Sequence, residues 1–252
     1  MKWILTILIA SAFTAFALFK TRSATDKKSS IQPHDKPFAV LELFTSEGCS
    51  SCPPADRLLP QLIKIDSGIV ALSFHVDYWD NLGWKDVFSD ASFTERQRLY
   101  GKRFHLESIY TPQLVINGEY ELVGSNRQKA ENLINKVQQE SSASQITITD
   151  LKQQDQHLQV GCELSGDIKD SWLLAALVQK HAERKIGAGE NHGATLLHTN
   201  VVRSFFENNA EPEMNFAISL PSDLKDGEWQ LVLYLQRKSD LKITGAQIYR
   251  QN

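Results

Sequence analysis

Cysteine is scarce in this chain: three residues among 252, at positions 49, 52 and 162. That number allows one intramolecular pair and leaves one thiol over. A four-cysteine zinc site is excluded, because no second pair exists to complete it. Charge of one sign is missing too. The chain carries 27 Lys and Arg against 30 Asp and Glu, a net charge of −3, with both signs spread along its length. This balance argues against a nucleic-acid partner, which calls for a basic face. There is no internal repeat. The length bounds the chain to one or two domains with a full hydrophobic core.

The N-terminus differs from the rest. Lys2 precedes an uncharged stretch from Trp3 to Phe19, which Lys20 and Arg22 close. That is the pattern of an export signal, with Ala15-Phe16-Ala17 as a candidate cleavage site. The run also sits near the lower length limit for a membrane span. Residues 1–19 are therefore expected to be a signal peptide or an N-terminal membrane anchor, with residues 3–19 in contact with the membrane. No cysteine follows closely, which argues against lipid attachment. Residues 20–36 are a polar linker. The remainder is expected to be exported, either periplasmic or secreted, where disulfides persist.

Apolar periodicity then sets the organisation. Residues 38–45, FAVLELFT, read as a strand. Pro53 and Pro54 suit the first turn of a helix, where a missing N–H costs nothing. That helix continues through Leu58, Leu59, Leu62 and Ile63, and Pro60 is a candidate kink. Residues 69–76 are a second strand, completing a βαβ unit. A charged helix is expected over 90–105, with Ser92 and Glu95 at capping-box spacing. Two short strands flank Asn117-Gly118, a strong hairpin signal. A helix follows over 126–140. After residue 144 alternating runs dominate, separated by turn residues, as in an all-β sandwich. The expected domains are thus residues 37–143, α/β, and residues 144–252, all-β.

Cys49-Ser50-Ser51-Cys52 lies between the first strand and the first helix. Side chains three apart share one face of a helical turn, so the two thiols can converge. The helix N-terminus presents unpaired N–H groups and a positive dipole end. Both stabilise a thiolate, the nucleophile of disulfide exchange. Cys49, at the end of the loop, is expected nearer solvent and attacks. Cys52, inside the first turn, resolves. Against this stand three alternatives. A purely structural disulfide is weak, because closing so short a loop removes little entropy. Half of a zinc site lacks its other half. Copper held by Cys49, Cys52 and His75 has no spacing argument behind it.

The segments FTSEGCSSCPPAD, FHVDYWDNLGWKDVFS, RQRLYGKRF, YTPQLVINGEYELVGS and GENHGATLLHTNVVR together resemble an uncharacterised family of bacterial secreted thioredoxin-like proteins. The resemblance spans roughly residues 38–205. It implies a thioredoxin-like α/β domain, a mixed sheet with flanking helices, followed by the sandwich-like domain. It also implies export and paired cysteines. In such folds the proline of Thr111-Pro112 is cis and faces the cysteine pair, so Thr111 and Pro112 are expected to dock a substrate backbone. TPQLVING followed by GSNR is similar to glutaredoxins as well. That similarity implies that Gly124, Ser125 and Asn126 offer backbone donors to a carboxylate. Ser125 departs from the second glycine of that motif, which puts glutathione binding in doubt.

Other residues have two readings each. Asp77 and Trp79 follow a strand end and are cleft candidates. Otherwise Asp77 caps the next segment and Trp79 packs. His75 reads as a satisfied strand histidine. GAGENHGATLLHTNVVR lacks the spacing of a dinucleotide loop. It reads as a long hairpin with a hydrogen-bonded turn, in preference to a polar site of Glu190, Asn191, His198 and Arg203. Cys162 is a small buried apolar residue of a strand. The leading expectation is an exported thiol–disulfide oxidoreductase with no bound cofactor and no metal. Its partner is a protein thiol or disulfide in the cell envelope. Its rivals are a binding or assembly module on a thioredoxin scaffold, and a metal chaperone.

Overall fold

The structure, a computed structural model, describes residues 38–251. The expected signal or anchor and the linker up to residue 36 lie outside them. Among the described residues, no helix is long and apolar enough to cross a membrane.

The first half follows its periodicity closely. Strand β1 (Ala39–Thr45) leads into helix α1 (Pro53–Ile63) and strand β2 (Ile69–His75), and β1 pairs with β2 in parallel. Helix α2 (Ala91–Arg103) comes next, then β3 (Gln113–Ile116), β4 (Tyr120–Val123) and helix α3 (Arg127–Val137). The β3–β4 hairpin turns at Asn117 and Gly118, both with positive φ. One cap differs from expectation. Asp90, not Ser92, is the N-cap of α2, and its carboxylate accepts from the Ser92 N–H at 2.8 Å. A carboxylate two residues earlier accepts the Ser92 N–H, so the helix starts at Ala91.

The second half contributes β5 (Ser144–Gln154), β6 (His157–Gly166), β7 (Ser171–Lys185), β8 (Thr195–Asn209), β9 (Glu213–Ser219), β10 (Trp229–Arg237) and β11 (Ile243–Arg250). It does not form a sandwich of its own, which corrects the expectation of a separate all-β unit. Its four strands β7, β8, β10 and β11 extend the first sheet into one mixed sheet, ordered β11-β10-β7-β8-β2-β1-β3-β4. The join is short: Ser73 pairs with Val201 in parallel, and the Asn200 side chain donates to the Ala71 carbonyl at 3.0 Å. Only β5, β6 and β9 make a second, three-stranded sheet. Sandwich packing is therefore present, but its larger sheet is shared.

Alternation explains the layers, since successive strand residues face opposite sides. On β7, Leu173, Ala175 and Leu177 meet the small sheet. Leu174, Ala176 and Val178 on the other face join Val40, Phe44, Leu72 and Phe74 of the first half, with Phe93 and Tyr100 of α2. Leu58, Leu59 and Leu62 of α1 and Ala130 and Ile134 of α3 cover the opposite face of β1 and β3.

Candidate functional site: a clasped disulfide at the start of α1

At the end of β1 the chain tightens into a turn. The Cys49 N–H donates to the Ser46 carbonyl at 3.2 Å, and the Cys52 N–H to the Cys49 carbonyl at 3.2 Å. Cys52 is the N-cap of α1, with prolines at the first helical positions. Cys49 and Cys52 form a disulfide, with their Cα atoms 5.4 Å apart.

Cys49 is not nearer solvent than Cys52: each is 0% exposed. Two walls account for this. The first holds the docking candidates. The Thr111 hydroxyl donates to Cys49 Sγ at 3.2 Å and accepts from Trp79 Nε1 at 2.9 Å. Ser51 Oγ lies 3.3 Å from the same sulfur and donates to the Thr111 carbonyl at 3.4 Å. The Thr111–Pro112 peptide bond is cis. The second wall comes from the β7–β8 tip. The Ser50 N–H donates to the Glu190 carboxylate at 3.0 Å. Asn191 Nδ2 donates to the Glu47 carbonyl at 2.8 Å and the Cys49 carbonyl at 3.0 Å. Gly189 has φ +72°, and a Cβ there would come within 2.9 Å of the Trp84 Cβ. Glycine thus supplies both the left-handed backbone and the close approach.

Under the disulfide lies a buried titratable layer: Glu47, Asp56, His75, Asp86 and His198. Glu47 accepts from Trp84 Nε1 at 2.7 Å and from Arg184 Nε at 3.2 Å. His75 Nδ1 is 2.6 Å from Asp86 Oδ2. Burial pushes the His75 imidazole down, but the Asp86 carboxylate outweighs it, with help from Asp56 and Glu47, and holds the pKa above its usual value. Burial likewise pushes Asp86 up. The His75 charge and hydrogen bond, with the N–H groups of Glu47 and Phe88, override it and bring Asp86 down to about 2. At Asp56 burial prevails over His198 and His75, and its carboxyl titrates above the usual range. The Glu47 and Asp86 carboxylates are thus engaged with partners, and that of Asp56 titrates above its usual range. The nearest side chains to Cys49 Sγ are instead hydroxyls, which favour a thiolate when one forms.

Other candidates lie apart or are already engaged. Gly124 packs beside Pro112, and its N–H donates to the Pro112 carbonyl at 2.9 Å. Ser125 is exposed, and Asn126 caps α3 through the Lys129 N–H. The Asp77 carboxylate accepts from the Thr94 hydroxyl at 2.5 Å. Arg203 lies outside the clasp, paired with Gln179 and Asp223. Cys162 is a buried free thiol, pushed up to about 11 by burial. Among the described residues, no group of three or more His, Cys, Asp or Glu is arranged to hold a metal ion. Asp86 is the site residue that sequence reasoning did not name; Glu190 and Asn191 were weighed as a polar site and set aside for a hairpin turn, and His75 was read as a satisfied strand histidine. The Gly-rich spacing at 187–193 was the one signal of a chain segment making a close approach.

Fold and site together define a mixed α/β protein with a clasped Cys-x-x-Cys disulfide at a helix start. The chain belongs to the DUF1223 family, described as a protein of unknown function, whose pattern matches residues 40–236. No curated protein matches it. Among solved structures it is similar to a crystal structure of a protein from Agrobacterium tumefaciens, with 25% identity and a TM-score of 0.63 over 85% of this chain and 94% of that one. It is also similar in fold to HBP35 of Porphyromonas gingivalis, with 14% identity and a TM-score of 0.59 over 87% and 77% of the two chains.

Proposed function

We propose that this protein is an exported thiol–disulfide oxidoreductase whose first half is a thioredoxin-like unit. The observation that carries the reading is the Thr111 hydroxyl on Cys49 Sγ, at the start of α1. The order β2-β1-β3-β4, with α1 crossing between the two parallel strands and a hairpin and helix after them, supports the fold. The N-terminal pattern supports export, by cleavage after the signal or by anchoring through residues 3–19.

In the reduced protein the Cys49 thiolate attacks one sulfur of a substrate disulfide. A Cys49–substrate disulfide forms, and the other substrate sulfur leaves as a thiolate that takes up a proton. The Cys52 thiol gives up its proton and attacks Cys49 Sγ. The second substrate sulfur then leaves and the Cys49–Cys52 bond closes. Two electrons pass from the pair to the substrate. The reverse sequence oxidises a dithiol. Thr111 and Pro112 dock the substrate backbone, Trp79 holds the Thr111 hydroxyl, and the partner is a protein thiol or disulfide of the cell envelope.

One observation favours a second reading, a binding or assembly module on the same scaffold. Both cysteines are wholly covered. A single experiment separates the two: Cys52→Ala, expressed in an exporting cell, is expected to accumulate mixed disulfides on Cys49. Absence of such adducts, together with no turnover of a small disulfide by the reduced wild type, would leave the scaffold reading standing alone.

A further inference from the structure

Between α1 and the outer parts of β7 and β8 lies a cavity of about 740 Å³. A neighbouring hollow of about 300 Å³ shares Pro60, Lys64, His181 and Thr199 with it and reaches Arg250. The groove has apolar walls. Ile63, Ile69, Val70 and Ile248 line the smaller hollow, and Leu197 lines the larger one while remaining 61% exposed. Its charge is lopsided. The ionic residues of the smaller hollow are Lys64, Lys180 and Arg250, with no carboxylate among its lining. Lys180 donates to the Gly227 carbonyl at 2.9 Å. Lys64 and Arg250 are exposed and make no ion pair among the described residues. Three cations at one end of an apolar trough attract an anion and leave the rest of the trough to a hydrocarbon body.

The larger cavity has a polar feature in its wall. His198 lines it, is 2% exposed, and has no hydrogen-bond partner at either ring nitrogen. Its nearest carboxylate oxygens, of Glu47 and Asp56, are 3.7 and 3.8 Å away. Asp56 Oδ2 in the same wall is also unpaired. These atoms are themselves buried and face one another, so they make this wall polar without presenting an open donor or acceptor to the cavity. The larger cavity carries two acids, Asp56 and Glu183, and two bases, Arg57 and Lys64, so the excess of positive charge lies in the smaller hollow.

We propose that this groove binds a small organic acid. The anionic head sits among Lys64, Lys180 and Arg250, and the apolar body lies along Ile63 and Leu197. Its walls include α1, β2, the β7–β8 arm and β11, and neither cysteine lines it, so binding there does not depend on the redox reading.

The test uses the oxidised full chain and three soluble probes: 8-anilinonaphthalene-1-sulfonate, decanoate and decanol. Decanoate is expected to displace the sulfonate probe at one site, and decanol to compete at least about tenfold less well. Lys64→Glu combined with Arg250→Glu reverses two exposed charges and is expected to weaken decanoate by at least about tenfold. An unchanged circular dichroism spectrum establishes that this variant is folded. Leu197→Asp, on an exposed side chain, is expected to weaken decanoate and decanol alike. Equal competition by decanol, or unchanged decanoate affinity in the double variant, would overturn the proposal. Binding to phosphatidylglycerol vesicles without uptake of soluble decanoate would overturn it as well, since the source of the anion would then be a membrane.

Discussion

The Thr111 hydroxyl is the most informative single contact near the disulfide, because it distinguishes the two sulfurs. It donates to Cys49 while Trp79 holds it in place. Thr111→Val keeps the shape and removes the donor. Reduced Thr111→Val is expected to label at Cys49 several-fold more slowly with iodoacetamide at fixed pH: losing a hydrogen bond worth roughly 1.5–3 kcal/mol lowers the thiolate fraction at least about tenfold, and the higher nucleophilicity of the more basic thiolate offsets part of that. Labelling at the wild-type rate would mean that the hydroxyl does not act on the thiolate. The His75–Asp86 pair makes a separate prediction. Asp86 is lowered from 3.8, so its stabilisation is present above 3.8 and is lost as pH falls toward about 2. His75 is raised from 6.5, so its stabilisation is complete below 6.5 and is lost as pH rises through the raised folded value. The difference in melting temperature between wild type and Asp86→Asn is therefore expected to be widest between pH 3.8 and 6.5. A difference that kept growing above that window would refute the assignment.

At the scale of elements, the β7–β8 arm turns a common cysteine motif into a covered one. Its tip reaches the cysteine loop through Glu190 and Asn191, which are about 140 residues distant in sequence. Asn191→Ala removes both donors to that loop. Reduction of the disulfide by dithiothreitol is expected to quicken several-fold, with little change in melting temperature. An unchanged rate would mean that the tip does not gate access. This arm also shows where sequence legibility ended. The elements of the first half were legible because their apolar periods are strong and their punctuation is local: Pro53 and Pro54 at a helix start, Asn117-Gly118 at a hairpin. Cys49 and Cys52 were legible from their place between a strand and a helix start, whereas Thr111 and Pro112 came from the family resemblance alone, and the structure puts the Thr111 hydroxyl on Cys49 Sγ. The clasp was not legible, because a Gly-rich hairpin tip looks alike whether it meets water or another loop. The exposure of Cys49 failed as an expectation on that account. The shared sheet was hidden too, since alternation shows that β8 has two faces but not which strand lies at its edge.

At the scale of the whole molecule, one buried ionic network joins the halves. Glu42 of β1 accepts from Arg96 Nε at 2.7 Å, from the Tyr234 hydroxyl at 3.0 Å and from the Tyr100 hydroxyl. Arg96 also donates to Gln236 at 3.1 Å and lies over the rings of Phe74, Tyr100, Phe205 and Tyr234. Tyr234 and Gln236 belong to β10, so a charge from the first half is satisfied partly by the second. Removing one partner of a buried pair costs about 3–5 kcal/mol, because the remaining charge stays buried and less well paired. Arg96→Met, similar in reach, is therefore expected to lower stability by that amount. The loss should register equally in the backbone signal and in fluorescence from Trp79 and Trp84 on one side and Trp229 on the other, because the core of β7 and β10 is continuous with that of β1 and β2. By the same reasoning, residues 38–143 alone are expected to show no cooperative thermal transition. They would keep Glu42 and Arg96 but lose Tyr234, Gln236 and the strand beside β2. Two separated transitions in the full chain, or a sharp transition in the fragment, would show instead that residue 144 divides two independent folding units.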